Sequence, residues 1–386
     1  MIVPNPRFRP NPARAIYVSG EINEQMVQRL TPRIMLFQSQ SRAPITVYID
    51  SPGGQVATMT ALWRLLNASN QDFEGACDII TVETSRAASV AADLLCAGDY
   101  ALAFPQSTLL YHGARIFRDT LTVETTSVLA SLLRMTNEYQ ATELARKIES
   151  RFMFRFVVAK SQFAEIRAKD PAKPMTDTEC FLAAISNNLS EQTKNLLETA
   201  RQRQGRYAAL MRAVQKASKA GKTTAQIEAG RIRAIVNFEL ASNKSDKDWT
   251  FRGGGLTRLN EDFFLLNEHL QSSQSERINK FCAQWGVFAL NDQDREEVDK
   301  TPEPAKTEML IQKVRPLLEP LLIFFSALCR VLQEGENELT ARDAVWLGLI
   351  DEIIEVKGLQ GRRAFGEFQP DPPNPELPKN EATKPE

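Results

Sequence analysis

Between Ala15 and His112, short β-rich runs alternate with helical stretches. Ala15–Ser19 (AIYVS) reads as a strand, and Asn23 can cap a helix reaching about Gln40, whose apolar face draws on Met26, Val27, Leu30, Ile34, Leu36 and Phe37. Pro32 inside that helix predicts a kink or break. Ile45–Asp50 is β-rich, Ser51-Pro-Gly-Gly54 is a turn, and Val56–Leu66 has helical period. Asp78–Glu83 is a third strand, Ser89–Ala97 a short helix of small and apolar residues, and Ala101–Phe104 and Leu109–His112 two more strands. Such alternation predicts a mostly parallel α/β sheet.

From about Val123 the pattern is helical for almost two hundred residues. Ser127–Phe156 is one long periodic stretch. Asn291 to Lys306, acidic and Pro-containing, reads as a linker. Thr307–Glu334 reads as a helix despite Pro316 and Pro320, and Leu339–Val356 returns to α/β character. The Pro-, Glu- and Lys-rich end reads as a disordered tail.

Composition removes several classes. With 43% hydrophobic and 25% charged residues over 386, the chain is neither fibrous nor wholly disordered. A formal net charge of -1 argues against a globally basic nucleic-acid binder. Cys77, Cys96, Cys180, Cys282 and Cys329 show no CxxC spacing, so neither a zinc cage nor a disulfide framework is indicated, and a reducing cytoplasm is expected. The first fifteen residues lack an apolar core of the kind a secretory signal needs. Leu321–Cys329 is far short of the roughly 20 apolar residues that span a bilayer, so no membrane association is expected.

Three segments carry chemistry. In Asp50-Ser-Pro-Gly-Gly-Gln-Val56, two glycines let the backbone approach a ligand where a helix opens with unpaired N–H groups. In Ser85-Arg-Ala-Ala-Ser-Val-Ala-Ala92, a serine lies at the first turn of a helix between alanines that permit close approach. In Tyr111-His112-Gly113, a histidine ends a strand. Each alone is more simply a turn, a cap or a structural histidine. Their order and spacing are what carry the signal.

DSPGGQV, SRAASVAADLLCAGD, FPQSTLLYHG and LTARDAVWLGLID together resemble the proteolytic subunit of Clp protease (ClpP) and its crotonase-like relatives. The resemblance covers about residues 15–155 and 307–356. It implies an α/β fold, a ClpP/crotonase-like spiral of β-β-α units, with a large inserted all-α domain. The implied division is a flexible arm 1–14, a catalytic domain 15–156 and 307–358, a helical insertion 157–306 and a tail 359–386. The implied activity is serine peptidase chemistry without a cofactor or metal. Ser89 matches the family's nucleophile and His112 its base. The backbone N–H groups of Gly54 and Val90 match the oxyanion donors, and Glu336 is the counterpart of the third, acidic member.

The physics of the match is coherent. A serine hydroxyl is nearly inert without a base, imidazole titrates near neutral pH, and two preorganised amides stabilise charge that appears only in the tetrahedral intermediate. The other histidine, His269, lies outside every matched block. Glu334 and Glu338 flank Glu336, and a solvated acidic cap is the plainer reading of all three.

The resemblance also implies a homo-oligomer acting on peptide or unfolded protein. The short proline-rich N-terminus shows no evident axial loops, so an ATP-driven unfoldase or an adaptor stays an open partner. Departures are Val90 for Met, Ala114 where a proline is expected nearby, and about 150 extra residues between histidine and acid. Within these, Lys194–Arg233 holds ten Lys/Arg against two Asp/Glu, read as the solvated face of a helix before a nucleic-acid surface. Arg252-Gly-Gly-Gly-Leu256 lacks the Lys-Ser/Thr of a phosphate loop. Two rivals are a catalytically silent ClpP-like scaffold or adaptor whose insertion binds a partner, and crotonase-type acyl-CoA chemistry.

Overall fold

A computed structural model describes residues 8–68, 75–115, 122–169, 175–218 and 274–354. His269, the Arg252–Leu256 stretch, residues 1–7 of the arm and the tail lie outside the described residues.

Parallel pairing dominates the sheet. Strands β1 (Ala15–Ser19), β2 (Ile45–Ser51), β3 (Ile79–Ala88), β4 (Tyr100–Ala103) and β7 (Glu352–Ile353) run side by side in that order, all parallel. The third strand, expected to end at Glu83, continues to Ala88 and forks. Its first half pairs β4 through Ile80–Glu83, and its last three residues pair β5 (Thr108–His112) through Arg86–Ala88. Strand β6 (Glu336–Thr340) then closes antiparallel on β5. The fork turns the nucleophile and histidine segments out of the main sheet together.

Helix α1 (Glu24–Gln40) starts where the Asn23 side chain accepts the Met26 N–H at 3.0 Å, and it buries Met26, Leu30, Ile34 and Phe37 along one face. Pro32 does not break it. The proline is exposed, and the buried stripe holds both sides of it in one helix. Leu36 is exposed rather than part of the core, because it falls off that stripe. Helices α2 (Val56–Leu66) and α3 (Val90–Ala97) follow the two chemical turns.

Helix α4 (Val123–Ala159) leads into α5 (Phe163–Lys169), α6 (Asp177–Ser186), α7 (Glu191–Ser218), α8 (Gln274–Phe281), α9 (Asp292–Lys300) and α10 (Ala305–Leu332). The expected linker at 291–306 is instead mostly α9. Asn291 caps it by accepting the Asp294 N–H at 2.8 Å, Val298 is fully buried, and Lys313 of α10 binds Asp294 and Glu297 at 2.6 and 2.7 Å. Acidic composition mimicked a linker because its charges are paired across a helix interface. Prolines 316 and 320 sit inside α10 without ending it.

One apolar core runs through the α/β sheet and the helices alike. Phe152 of α4 stacks on Phe325 of α10 with ring centres 4.6 Å apart and meets Phe181 of α6 edge-on at 5.3 Å. Two buried arginines of α4 tie this core to the sheet. Arg155 donates to the carbonyls of Val345 (2.9 Å) and Asp351 (2.8 Å). Arg151 donates to the carbonyls of Cys96 (2.7 Å) and Gly98, capping the C-terminus of α3, and pairs with Asp351 at 2.7 Å. A cation there complements the helix dipole. Helix α11 (Ala341–Trp346) packs beside β6. All five cysteines are buried and free. No helix among the described residues is long and apolar enough to cross a membrane.

Candidate active site

The turn after β2 is anchored before it reaches the serine. Ser51 Oγ donates to the Gly20 carbonyl at 2.6 Å and accepts the Gly53 N–H at 3.1 Å. Ile22 then bonds the residues on either side of Gly54: its N–H donates to the Gly53 carbonyl (2.8 Å), and its carbonyl accepts the Gln55 N–H (3.1 Å). In a parallel bridge of this kind the middle residue's own N–H faces the other way. Both glycines are required by space. A Cβ on Gly54 would lie 2.2 Å from the Ile22 carbonyl oxygen, and one on Gly53 would lie 2.6 Å from the Ala88 carbonyl oxygen and 2.7 Å from Ser89 Cβ.

Gly53 is therefore packed directly against Ser89. That serine has φ 57° and ψ −130°, and it is the one non-glycine residue with positive φ among the described residues. Such a conformation costs on the order of 1–3 kcal/mol and persists only where its surroundings over-determine it. Here the Ser89 N–H donates to the Leu110 carbonyl at 2.7 Å, and its carbonyl accepts the Ala92 N–H at 2.9 Å to begin α3. A sharp strand-to-helix turn with a serine at its apex is the geometry that exposes a nucleophile. Val90 is the first residue of α3, so its N–H has no partner within the helix.

His112 ends β5, two residues beyond the Leu110 that holds Ser89. Its Nδ1 lies 2.7 Å from the Gly113 carbonyl oxygen. A carbonyl only accepts, so in the neutral ring Nδ1 carries the proton and Nε2 is left as the acceptor. Ser89 and His112 share one corner of the fold without a direct hydrogen bond between them.

Glu336 is the ladder partner of His112 across β5 and β6. Its carboxylate, 67% exposed, is ion-paired with Arg115 and not with the imidazole. Glu334 binds Arg203, with Nη1 donating at 2.9 Å, and Glu338 is exposed on β6. No hydrogen bond or ion pair joins any of the three acids of that run to the ring.

Two polar residues that sequence reasoning passed over flank Gly113, next in the chain to His112. Asn137 of α4 accepts the Ala114 N–H at 2.6 Å, and a Cβ on Gly113 would lie 3.0 Å from both Asn137 Nδ2 and the Gln333 carbonyl oxygen. Gln333 is buried, and its Nε2 has no hydrogen-bond partner. Neither could be picked out in the sequence, being ordinary helix residues brought to Gly113 by the packing of α4 and α10.

Two buried acids complete the electrostatics. Burial raises Glu83 to about 7, against the opposing hydrogen bonds from Ser107 and Ala87, and burial raises Asp93, one turn into α3, to about 6 despite the attraction of Lys147. A surface cleft lined by Ser19, Glu21, Asn23, Gln25, Met26 and Arg29 opens on the other side of the Gly20–Ile22 segment, and no site residue lines it.

The forked parallel sheet, the glycine turn and the serine elbow define a ClpP/crotonase-like α/β fold carrying a large helical region. Residues 9–144 match the family model described as Clp protease. Over 102 residues the chain is 33% identical to the ATP-dependent Clp protease proteolytic subunit of Ligilactobacillus salivarius, covering 26% of this chain and 49% of that protein. It is 31% identical over 101 residues to the subunit of Carsonella ruddii (26% and 49%), and 32% identical over 104 residues to subunit 1 of Mycobacterium tuberculosis (26% and 48%). The chain spans about half the length of the curated relatives it matches. It is ClpP-like, and the likeness is carried by its first third.

Proposed function

We propose that the chain is a serine peptidase of Clp type, cleaving peptide bonds in peptides or unfolded protein through an acyl-enzyme. Ser89 Oγ attacks the carbonyl carbon while His112 Nε2 accepts its proton. The N–H groups of Gly54 and Val90 hold the oxyanion. The intermediate collapses as His112 returns the proton to the leaving amine, and water repeats the sequence to release the acid. Glu336 has the lesser part of shaping the field around the imidazole, with its carboxylate held by Arg115.

The observation that carries this reading is the Ser89 backbone. A residue held at φ 57° against Gly53, at the start of a helix, has no comparable structural use. A fluorophosphonate probe tests it: labelling of the wild type and none of Ser89→Ala supports the enzyme.

The rival, a silent scaffold or adaptor, is favoured by one observation: no hydrogen bond joins Ser89 to His112, and every acid of the 334–338 run is turned elsewhere or exposed. Absence of labelling in every oligomeric state would establish it. The acyl-CoA reading gains no comparable support.

The rest of the reading concerns assembly. The catalytic part is assigned to 15–156 and 307–358 and the insertion to 157–306. The chain acts as a homo-oligomer in the cytoplasm, consistent with five buried free thiols and with the exposed apolar stripe Val128, Leu132, Met135 and Tyr139 on α4. The relatives' name, proteolytic subunit of an ATP-dependent protease, motivates a search for an ATP-driven partner. The basic run on α7 is taken as a solvated helix face ahead of a nucleic-acid surface: Lys194 and Arg203 are paired with Glu191 and Glu334.

A further inference from the structure

β3 changes partner between Glu83, the last residue paired with β4, and Arg86, the first paired with β5. A backbone ladder cannot bridge such a fork, so a side chain must serve the groups left in it. Glu83 occupies that place and is fully buried. Its Oε1 accepts the Ala87 N–H at 2.9 Å, two residues before Ser89. Its Oε2 lies 2.8 Å from Ser107 Oγ, in the turn that opens the strand ending at His112.

The hydrogens of this cluster can be counted. Ser107 has one hydroxyl proton and two acceptors within reach, Glu83 Oε2 and the Phe104 carbonyl oxygen, each at 2.8 Å. With Glu83 ionised, Ser107 donates to Oε2 and the Phe104 carbonyl keeps the Ser107 N–H at 3.1 Å, but a charge then sits in the buried fork. With Glu83 protonated, Oε2–H donates to Ser107 Oγ, Ser107 donates to Phe104, and Oε1 keeps the Ala87 N–H, so every group is used. No charged partner offsets ionisation. Ile49 and Ala103 stand opposite on the neighbouring strands. Tyr48 and Asp50 on β2, Arg86 further along β3, Tyr100 on β4, Asp93 and Cys96 on α3 and Tyr111 and His112 on β5 are the titratable groups of the surrounding elements, and the proton on Glu83 answers to burial, Ser107 and Ala87 instead.

We propose that Glu83 is a positioning residue, a neutral carboxylic acid that clamps the segment delivering Ser89 to the turn delivering His112. Its loss of a proton places an unpaired charge in the fork and loosens the register between the two segments. The raised proton affinity, to about 7, agrees with full burial beside no charged partner.

Glu83→Gln tests this in the full chain, because the amide reproduces the neutral acid: its NH2 donates to Ser107 and its carbonyl accepts from Ala87. Labelling the glutamate side-chain carboxyls with carbon-13 should reveal one group titrating near pH 7 that is missing from the variant. The melting temperatures of the two proteins should coincide below about pH 4.5, separate by several degrees as pH rises to about 7 and stay apart to pH 8.5, with the wild type lower. The activity arm rests on the peptidase reading: the ratio of variant to wild-type kcat/KM should rise from near one at pH 6 to severalfold at pH 8.5.

A flat stability difference, a variant that is less stable at every pH or fails to fold, or a Glu83 that titrates near pH 4 in the wild type would each overturn the clamp. The titration and melting results without hydrolysis at any pH would leave the clamp standing and sink the peptidase instead.

Discussion

The serine half of the site and the carboxylate half are built to different standards. Around Ser89, the positive φ, the close approach of Gly53 and the hydrogen bond to Leu110 all enforce one arrangement. Across β5, Glu336 is mostly exposed and bound to an equally solvated Arg115, a pair worth little to stability and free to exchange. Strain is concentrated at the proposed nucleophile, and charge is left adjustable at the proposed acid.

The comparison can be broken most severely at its rigid end. Ser89→Ala should lower peptide hydrolysis by about a thousandfold or more while leaving secondary structure intact. A smaller loss would mean that the strained serine is not the nucleophile. Gly54→Ala comes next, since its Cβ meets the Ile22 backbone and would displace the proposed oxyanion donor. An activity loss on the order of a hundredfold should accompany a lowered urea midpoint.

Asp93 sharpens the contrast through stability. Its folded proton affinity is raised, so its contribution is fully present below pH 4 and is lost as pH rises through about 6, by about 3 kcal/mol at most. Asp93→Asn should flatten that decline in urea titrations at pH 4.5 and 8. Ser89→Gly should abolish activity yet stabilise the fold by about 1 kcal/mol, by removing the cost of the positive φ. The smallest effect belongs to Glu336→Gln, for which kcat/KM should fall no more than severalfold. A thousandfold fall would show that the carboxylate leaves Arg115 for the imidazole during turnover.

Much of the fold was legible beforehand because it is written in local terms. Asn23, the glycine pair and the alternating runs each act on neighbours a few residues away. Where an expectation was not met, long-range pairing had overruled local character: Pro32 does not end α1, whose buried stripe runs past it, and residues 292–300 form a helix with Asp294 and Glu297 held by Lys313. The fork in β3 carries no local mark, since strand exchange depends on which partner arrives and not on the residues of β3 alone.

By itself the amino-acid order determined that a glycine pair would open one helix, that a serine would stand at a later strand-to-helix turn, and that one histidine would end a strand after it. Those are properties of short segments, governed by backbone freedom and capping. Only the tertiary structure decided which polar groups those residues meet. Glu336 goes to Arg115, Asn137 and Gln333 close on Gly113, and Glu83 fills the fork. Hydrogen bonds and charges between distant segments depend on separations of a few ångströms, which only the packed core sets.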